Sequence, residues 1–374
     1  MLTVRALNRA LLARQGLLAR WDAPAVEVVE RIGAVQAQHW PAVAVALWSR
    51  VAGFDADDLY GSLSARELVM GTLLRGTLHV VSAREHPRYA AVVRDSGAAS
   101  WQRTDAEPPP EVDVLRAALV AHAATPRTVE ELRAFVEDWI DRNRPPLAEA
   151  ELAFQRGYRW RPLIASCGLV RAPADGRWDG ARPPAASVAP PAPASESPEE
   201  ALDAVVRCHL RAFGPAAADD VAGWIGWRTP PVRQALERLG PELDRFEDES
   251  GRALHDLPDA PRPDPDVPAP VRLLPWFDSV LLAYALRHRA RILPEPYRDR
   301  VYVRANLQWL PTFLVDGLVA GTWSVDANRR EAVLSLRAFA PLAKSVRSAL
   351  TEEAERLVRF LRPAAAVHRV TVDV

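Results

Sequence analysis

The sequence predicts an α+β fold, mainly α, made of three tandem winged-helix motifs and a β-rich C-terminal element. Three observations predict it. Short helical patterns followed by β-like runs recur between proline-rich breaks. The stretch "FGPAAADDVAGWIGWRTPPVRQALERLG" (213–240) carries helix-turn-helix punctuation, and beyond Pro270 the chain changes to alternating apolar runs. With 374 residues there is chain enough for two or three domains.

The first unit spans residues 1–103. Its opening, "MLTVRALNRALLARQGLLARW", is free of acids as far as Asp22, as transit peptides are, but Leu7, Leu11 and Leu18 fall at helical spacing. That spacing favours a folded helix over about residues 3–17. A second helix over about 24–36 follows Asp22 with Pro24 in its first turn, burying Val28, Val29, Ile32 and Val35. A third is expected near 65–75, before the β-like "TLHVVSA" (77–83). After the break "TDAEPPPEVD" (104–113) comes a second unit, 112–180. Thr128 stands three residues before Glu131, a capping box opening a helix. The run "RGYRWRPLIASCGLVRAPADGRWDG" (156–180) reads as a helix and then a wing hairpin around a glycine turn.

Residues 181–198, in "ARPPAASVAPPAPASESPEE", are too proline-rich for helix or central strand and read as an extended linker. The third unit, 199–257, has a helix to about Trp224, a turn at Gly226, and a second helix capped by Thr229. Pro230 takes that helix's first position, Gly240 follows its end, and Arg233 and Arg238 lie along it. "PDAPRPDPDVPAP" (258–270) is a further spacer. In the last element, 270–374, Asp316-Gly317 between apolar runs marks a β-hairpin. "EAVLSLRAFA" adds a strand and "KSVRSALTEEAERLVRFL" a closing helix.

Composition excludes several function classes. There is no run of 18 apolar residues, so no membrane span is expected, and arginines interrupt every N-terminal apolar stretch long enough for a secretory signal. Cys167 and Cys208 are too few for a disulfide framework or a zinc site and read as reduced thiols of a cytosolic protein. A net charge of -1 is not that of a uniformly basic nucleic-acid binder. The charge is segregated, however: Tyr284 to Arg304 and Arg156 to Arg161 are basic, Glu242 to Asp259 acidic. Composition therefore permits a local nucleic-acid surface without demanding one.

The motif that carries chemistry is "GAVQAQHWP" (33–41), with Gln36 and Gln38 either side of Ala37. On a continued helix the two amides would point about 200° apart. Pro41 disfavours helical geometry at Trp40, so the helix should end near the motif. In an extended exit, residues two apart share a side, and both amides face one place with Ala37 turned inward. A solvated helix end and a site that positions water both fit this pattern. No glycine-rich phosphate loop, His/Glu metal spacing or G-x-S-x-G elbow competes with it, and no metal or cofactor is expected.

"RIGAVQAQHWPAVAVALWSRV", "MGTLLRGTLHVVSARE", "LLARQGL", "AFGPAAADDVAGWIGW", "LLPWFDSVLLAYALRHRARILP" and "FLVDGLVAGTW" together resemble the AlkZ/YcaQ-type winged-helix DNA glycosylases, nearly end to end and in order. The resemblance implies that the three winged helices form a concave, DNA-embracing arrangement with a barrel-like C-terminal element. It also implies excision of N7-alkylated purines, with Gln36 and Gln38 as the catalytic Q-Φ-Q pair. Q-Φ-D marks the general branch of that family. The Q-Φ-Q seen here resembles the AlkZ-like branch, which gives producers self-resistance to DNA-alkylating and cross-linking natural products such as azinomycin.

The expected activity is monofunctional hydrolysis, Lys344 being the only lysine in the chain. The expected partner is double-stranded DNA with N7-alkylated guanine, engaged by a monomer in the cytoplasm at the nucleoid. Arg75 is a candidate phosphate contact, and His79 either faces the ligand or packs. Trp40 is a candidate for flanking the lesion, and Arg287, His288, Arg289 and Arg291 for DNA contact. The rival reading is a non-enzymatic winged-helix regulator, or a protein that sequesters the toxin or its adduct.

Overall fold

The computed structural model describes residues 1–94, 109–179, 183–191 and 197–373. Helix Val4–Arg14 opens the chain, with the Thr3 side chain accepting from the Ala6 amide. Helix Ala25–Ile32 ends earlier than its apolar pattern suggests because Gly33 adopts φ +78. That conformation favours glycine, and a Cβ there would also press on Phe213 at 3.3 Å. The chain leaves as a short strand, Val35–Gln36, before helix Pro41–Trp48. That helix is buried from Ala42 through Trp48, as its uninterrupted apolar sequence demands.

Residues 65–75, expected as helix, are instead the strand Leu68–Thr72 and a tight turn at Leu74–Gly76. Leu68, Val69 and Met70 are consecutive and all buried, which a sheet flanked on both faces satisfies and a surface helix does not. The strand pairs with Leu78–Ser82, which pairs in turn with Val35–Gln36 in the register Val35↔Val80, Gln36↔His79.

The second unit supplies helices Pro110–His122, Val129–Asn143, Glu149–Gly157 and Arg161–Ser166. The Thr128/Glu131 capping box is formed. Its strand Val170–Ala172 pairs with Ala186–Val188 and also joins the first unit through Gly71↔Val170. The first two units thus share one five-stranded sheet.

The linker reading fails at Ala186–Val188. Prolines 183, 184, 190 and 191 flank a proline-free triplet whose amides remain available. Ser187 exchanges two backbone hydrogen bonds with Arg127, at 2.8 and 2.7 Å.

The third unit has helices Pro198–Phe213, Ala218–Ile225 and Thr229–Arg238, then the hairpin Asp244–Glu247/Ala253–Asp256. Gly226 turns between the last two helices at φ +90. Thr229 is not a cap: Arg228 holds that position, and Pro230 and Pro231 occupy the first turn, where no amide is needed.

At the C-terminal end, five strands run in the order Val367–Asp373, Glu331–Ala338, Leu318–Ala327, Thr312–Val315 and Arg272–Leu274. Asp316-Gly317 makes the expected hairpin turn, both residues at positive φ. Helix Lys344–Leu361 crosses over to the parallel last strand and buries Leu350, Ala354, Leu357 and Val358 against the sheet. The barrel-like expectation is corrected here, since the sheet is open with two separate edge strands. The two edges, Val367–Asp373 and Arg272–Leu274, do not pair with one another.

Two apolar cores meet at the glutamine strand. Ala34 belongs to the core of the first helix and the third unit, while Val35 and Ala37 belong to the core shared by helix Pro41–Trp48 and the C-terminal sheet. A buried ion pair, Arg50 to Asp278, ties that strand's neighbourhood to the C-terminal segment with contacts of 2.8 and 3.0 Å. Among the described residues no helix is long and apolar enough to cross a membrane.

Candidate active site

The extended exit predicted for the motif is present. Gln36 pairs with His79 across the sheet, and the Ala37 amide donates to the Leu78 carbonyl at 2.7 Å, carrying the ladder one residue further. Ala37 turns into the core, and Gln36 and Gln38 both line one cavity of about 550 Å³. Gln36 is 6% exposed, and its Oε1 accepts from Arg75 Nη2 at 3.0 Å. Gln38 is exposed, and its Oε1 accepts from the Leu78 amide at 3.3 Å.

Arg75 sits in the tight turn at φ +56, beside Gly76 at φ +67. Its guanidinium also donates to the Trp224 carbonyl, at the C-terminal end of helix Ala218–Ile225. Gly226 lies so close to this turn that a Cβ there would meet Arg75 Cα at 3.1 Å. Burial, reinforced by the nearby Arg289, lowers Arg75 to about 10, so it remains charged at neutral pH.

The opposite wall comes from residues more than 200 positions away. It comprises Phe277, Leu282, Leu286, Arg289, Tyr302, Asn306, Leu307 and Trp309, with Thr77 completing the near side. Tyr302–Val303 and Gln308–Trp309 form a small antiparallel hairpin there. Its tip exposes Leu307, and Leu286 is exposed beside it. Arg289 lies 4.8 Å over the Trp309 ring, donates Nε to the Tyr284 carbonyl at 3.0 Å, and is lowered to about 10 by burial. Among the described residues no carboxylate lines this cavity.

The other sequence candidates are placed elsewhere. His79 is in the core, with Nδ1–H donating to the Thr77 carbonyl at 3.0 Å. Burial first, and Arg75 second, hold it down to about 3, so it is neutral. Trp40 does not flank the cavity. It adopts helical geometry (φ -52, ψ -47) despite the following proline, which breaks the alternation and turns the indole away. The ring is buried 5.7 Å from Trp178, and Nε1 donates to the Asp179 carbonyl at 2.7 Å.

Arg291 is not a surface residue either. It is buried over the Tyr284 ring at 4.1 Å and donates to the Pro215 carbonyl at 2.9 Å. Arg287 is exposed and paired with Asp219, while His288 Nδ1 lies 2.8 Å from Asp220 Oδ1. Those two border a second cavity of about 650 Å³ in the third unit, with Arg233, Arg245, Arg252 and His255. Asp219, Asp220 and His288 have metal-ligand spacing, but Arg252 and Arg287 already neutralise both carboxylates. Of the four basic candidates in "RHRAR", only Arg289 faces the glutamines.

Sequence reading missed Phe277, Leu282, Leu286, Tyr302, Asn306, Leu307 and Trp309. The usable signal was the pair of short apolar-aromatic runs around Asn306, which mark a hairpin.

The chain is 26% identical over 322 residues to a Streptomyces sahachiroi protein described as an interstrand DNA cross-link repair glycosylase, covering 83% of this chain and 85% of that one. Its structure resembles that of the Streptomyces sahachiroi DNA glycosylase AlkZ, with TM-score 0.77 and 22% identity, over 100% of this chain and 99% of the other. The family model for AlkZ-like DNA glycosylases matches residues 29–360. That match spans most of the chain and places it: the protein belongs to the AlkZ-like DNA glycosylase family.

Proposed function

We propose that this glycosylase hydrolyses the N-glycosidic bond of N7-alkylguanine in duplex DNA, including bulky natural-product adducts and interstrand cross-links, and thereby gives self-resistance to a DNA-alkylating toxin. The observation that carries the reading is the presence of Gln36 and Gln38 on one wall of one cavity. The related Streptomyces protein, described as acting on interstrand cross-links, supports the substrate class.

The chemistry suits neutral amides. Alkylation at N7 makes guanine cationic, so the C1′–N9 bond breaks with its electron pair passing to the ring, and the base leaves neutral without an acid. Water then forms a bond to C1′ of the oxocarbenium-like sugar and loses its proton to solvent. A glutamine oxygen accepts from that water and presents a negative dipole end to the sugar. A preorganised neutral group of this kind is worth about 3–4 kcal/mol, or roughly 10²–10³ in rate. Lys344 begins the helix that covers the C-terminal sheet and does not line the cavity, which supports hydrolysis over Schiff-base chemistry.

Many glycosylases flip the target base into a tight pocket. A cross-linked base resists flipping, and a cavity whose mouth carries exposed Leu286 and Leu307 suits approach along a groove of a concave surface. We place the enzyme in the cytoplasm, at the nucleoid, acting as a monomer. The test is base release from duplex carrying one N7-methylguanine or one natural-product adduct. Binding without release from any adduct would leave a non-enzymatic DNA-binding protein, and binding of free toxin alone a sequestering one.

A further inference from the structure

Two guanidiniums, Arg75 and Arg289, line the glutamine cavity, and among the described residues no carboxylate does. Within the same described residues neither arginine joins an ion pair. Arg75 bonds to Gln36 Oε1 and the Trp224 carbonyl and has Nη2 3.5 Å from His79 Nε2, and Arg289 bonds to the Tyr284 carbonyl. Each is lowered toward 10 chiefly by burial, and Arg289 adds to the effect on Arg75; Asp220 acts on Arg289 only from a distance, being paired with Arg252 and His288, so neither guanidinium has a carboxylate in contact. Arg289 commits only Nε to the protein and keeps both terminal nitrogens for a bidentate partner. A wall with two guanidiniums and, among the described residues, no carboxylate suits an anion.

The electrostatics of the reaction point the same way. The alkylated base is cationic, the sugar becomes cationic, and both glutamines are neutral. With only the two arginines in place, the cavity would oppose the transition state it is meant to stabilise. Duplex DNA brings one charged group to such a site, the phosphodiester.

We propose that Arg75 and Arg289 clamp a phosphate of the damaged strand next to the lesion, and that this phosphate supplies the negative charge facing the oxocarbenium-like sugar. The inference rests on the glycosylase reading above. Arg75 then acts twice. One terminal nitrogen orients the Gln36 amide while the guanidinium as a whole holds the phosphate, so water and counter-charge are set by one side chain. The bond changes are those already given. The phosphate forms and breaks no bond.

The test uses wild-type protein and single-turnover base release from duplexes carrying one N7-methylguanine. One methylphosphonate, which is neutral, replaces the phosphate 5′ to the lesion, the phosphate 3′ to it, or one a helical turn away. We expect one adjacent substitution to slow release about a hundredfold, the scale of losing one preorganised electrostatic group, and the distant one to have little effect. Arg289→Gln should slow the native substrate similarly but add little on the adjacent methylphosphonate, because both changes remove one interaction. Equal rates for adjacent and distant substitutions would overturn the clamp, as would fully multiplicative effects of Arg289→Gln and the adjacent methylphosphonate. No release from the native duplex would instead overturn the glycosylase reading, and the clamp with it.

Discussion

Asp278 offers a test of how the two walls of the cavity are held together. Its carboxylate is buried and accepts from Arg50 Nη2 at 2.8 Å and Nη1 at 3.0 Å. It also accepts from the Val280 amide at 3.1 Å, capping the short helix Ser279–Leu282. Phe277 and Leu282 of this segment are cavity wall, whereas Arg50 follows the helix that leaves the glutamine motif. Asp278→Ala leaves the Arg50 charge buried and uncompensated, a loss of about 3–5 kcal/mol. The lost cap adds about 1 kcal/mol. Arg50→Met alone strands the carboxylate and should cost a similar amount. The double variant should lose much less than the sum, because no isolated charge remains; a coupling of at least about 2 kcal/mol is expected. Urea unfolding of all four proteins measures it. Additive losses, or an Asp278→Ala protein within about 1 kcal/mol of wild type, would refute the reasoning.

Three further outcomes follow from the same geometry. His79, held down to about 3 by burial, is neutral in the native state, while the unfolded chain binds its proton near the ordinary value of 6.5. His79's contribution is therefore complete above about pH 6.5 and falls as pH drops toward 3, by about 1.4 kcal/mol per pH unit, beside losses of the same sign from His86 and His209, each lowered to about 4 by burial. His79→Leu should reduce the pH dependence of the urea midpoint by that one contribution, and an unchanged slope would count against it. Trp40→Phe should keep base release within about twofold, since the indole faces away from the cavity and loses only its bond to Asp179. A hundredfold loss of rate would return Trp40 to the lesion. Arg233 and Arg245 are exposed in the cavity of the third unit. If duplex runs across that unit, changing both to glutamine should lower the slope of log binding constant against log salt by about 1.8. An unchanged slope would place the DNA elsewhere.

The glutamine motif was legible because its signal is local. A helix stop, two residues of extended chain and a proline suffice to put Gln36 and Gln38 on one side. Trp40 escaped the same rule because Pro41 begins a helix and its predecessor still adopted helical angles. Arg291 looked like its basic neighbours, and only the packing of Tyr284 and Pro215 around it shows that it is core. The strand Leu68–Thr72 was mistaken for helix because a short continuous apolar run has no decisive period. The strand Ala186–Val188 was hidden by proline content, although its three amides were free to pair. The far wall of the cavity could not be read from the motif at all, since its residues meet the glutamines only through tertiary folding.

The central claim is that two neutral amides on one cavity wall perform the hydrolysis. The most direct measurement is single-turnover release of an N7-alkylated base from duplex DNA by wild type, Gln36→Ala and Gln38→Ala. The account predicts release by wild type and a loss of about a hundredfold or more in at least one variant, with the fold intact. Wild-type rates in both variants would contradict it.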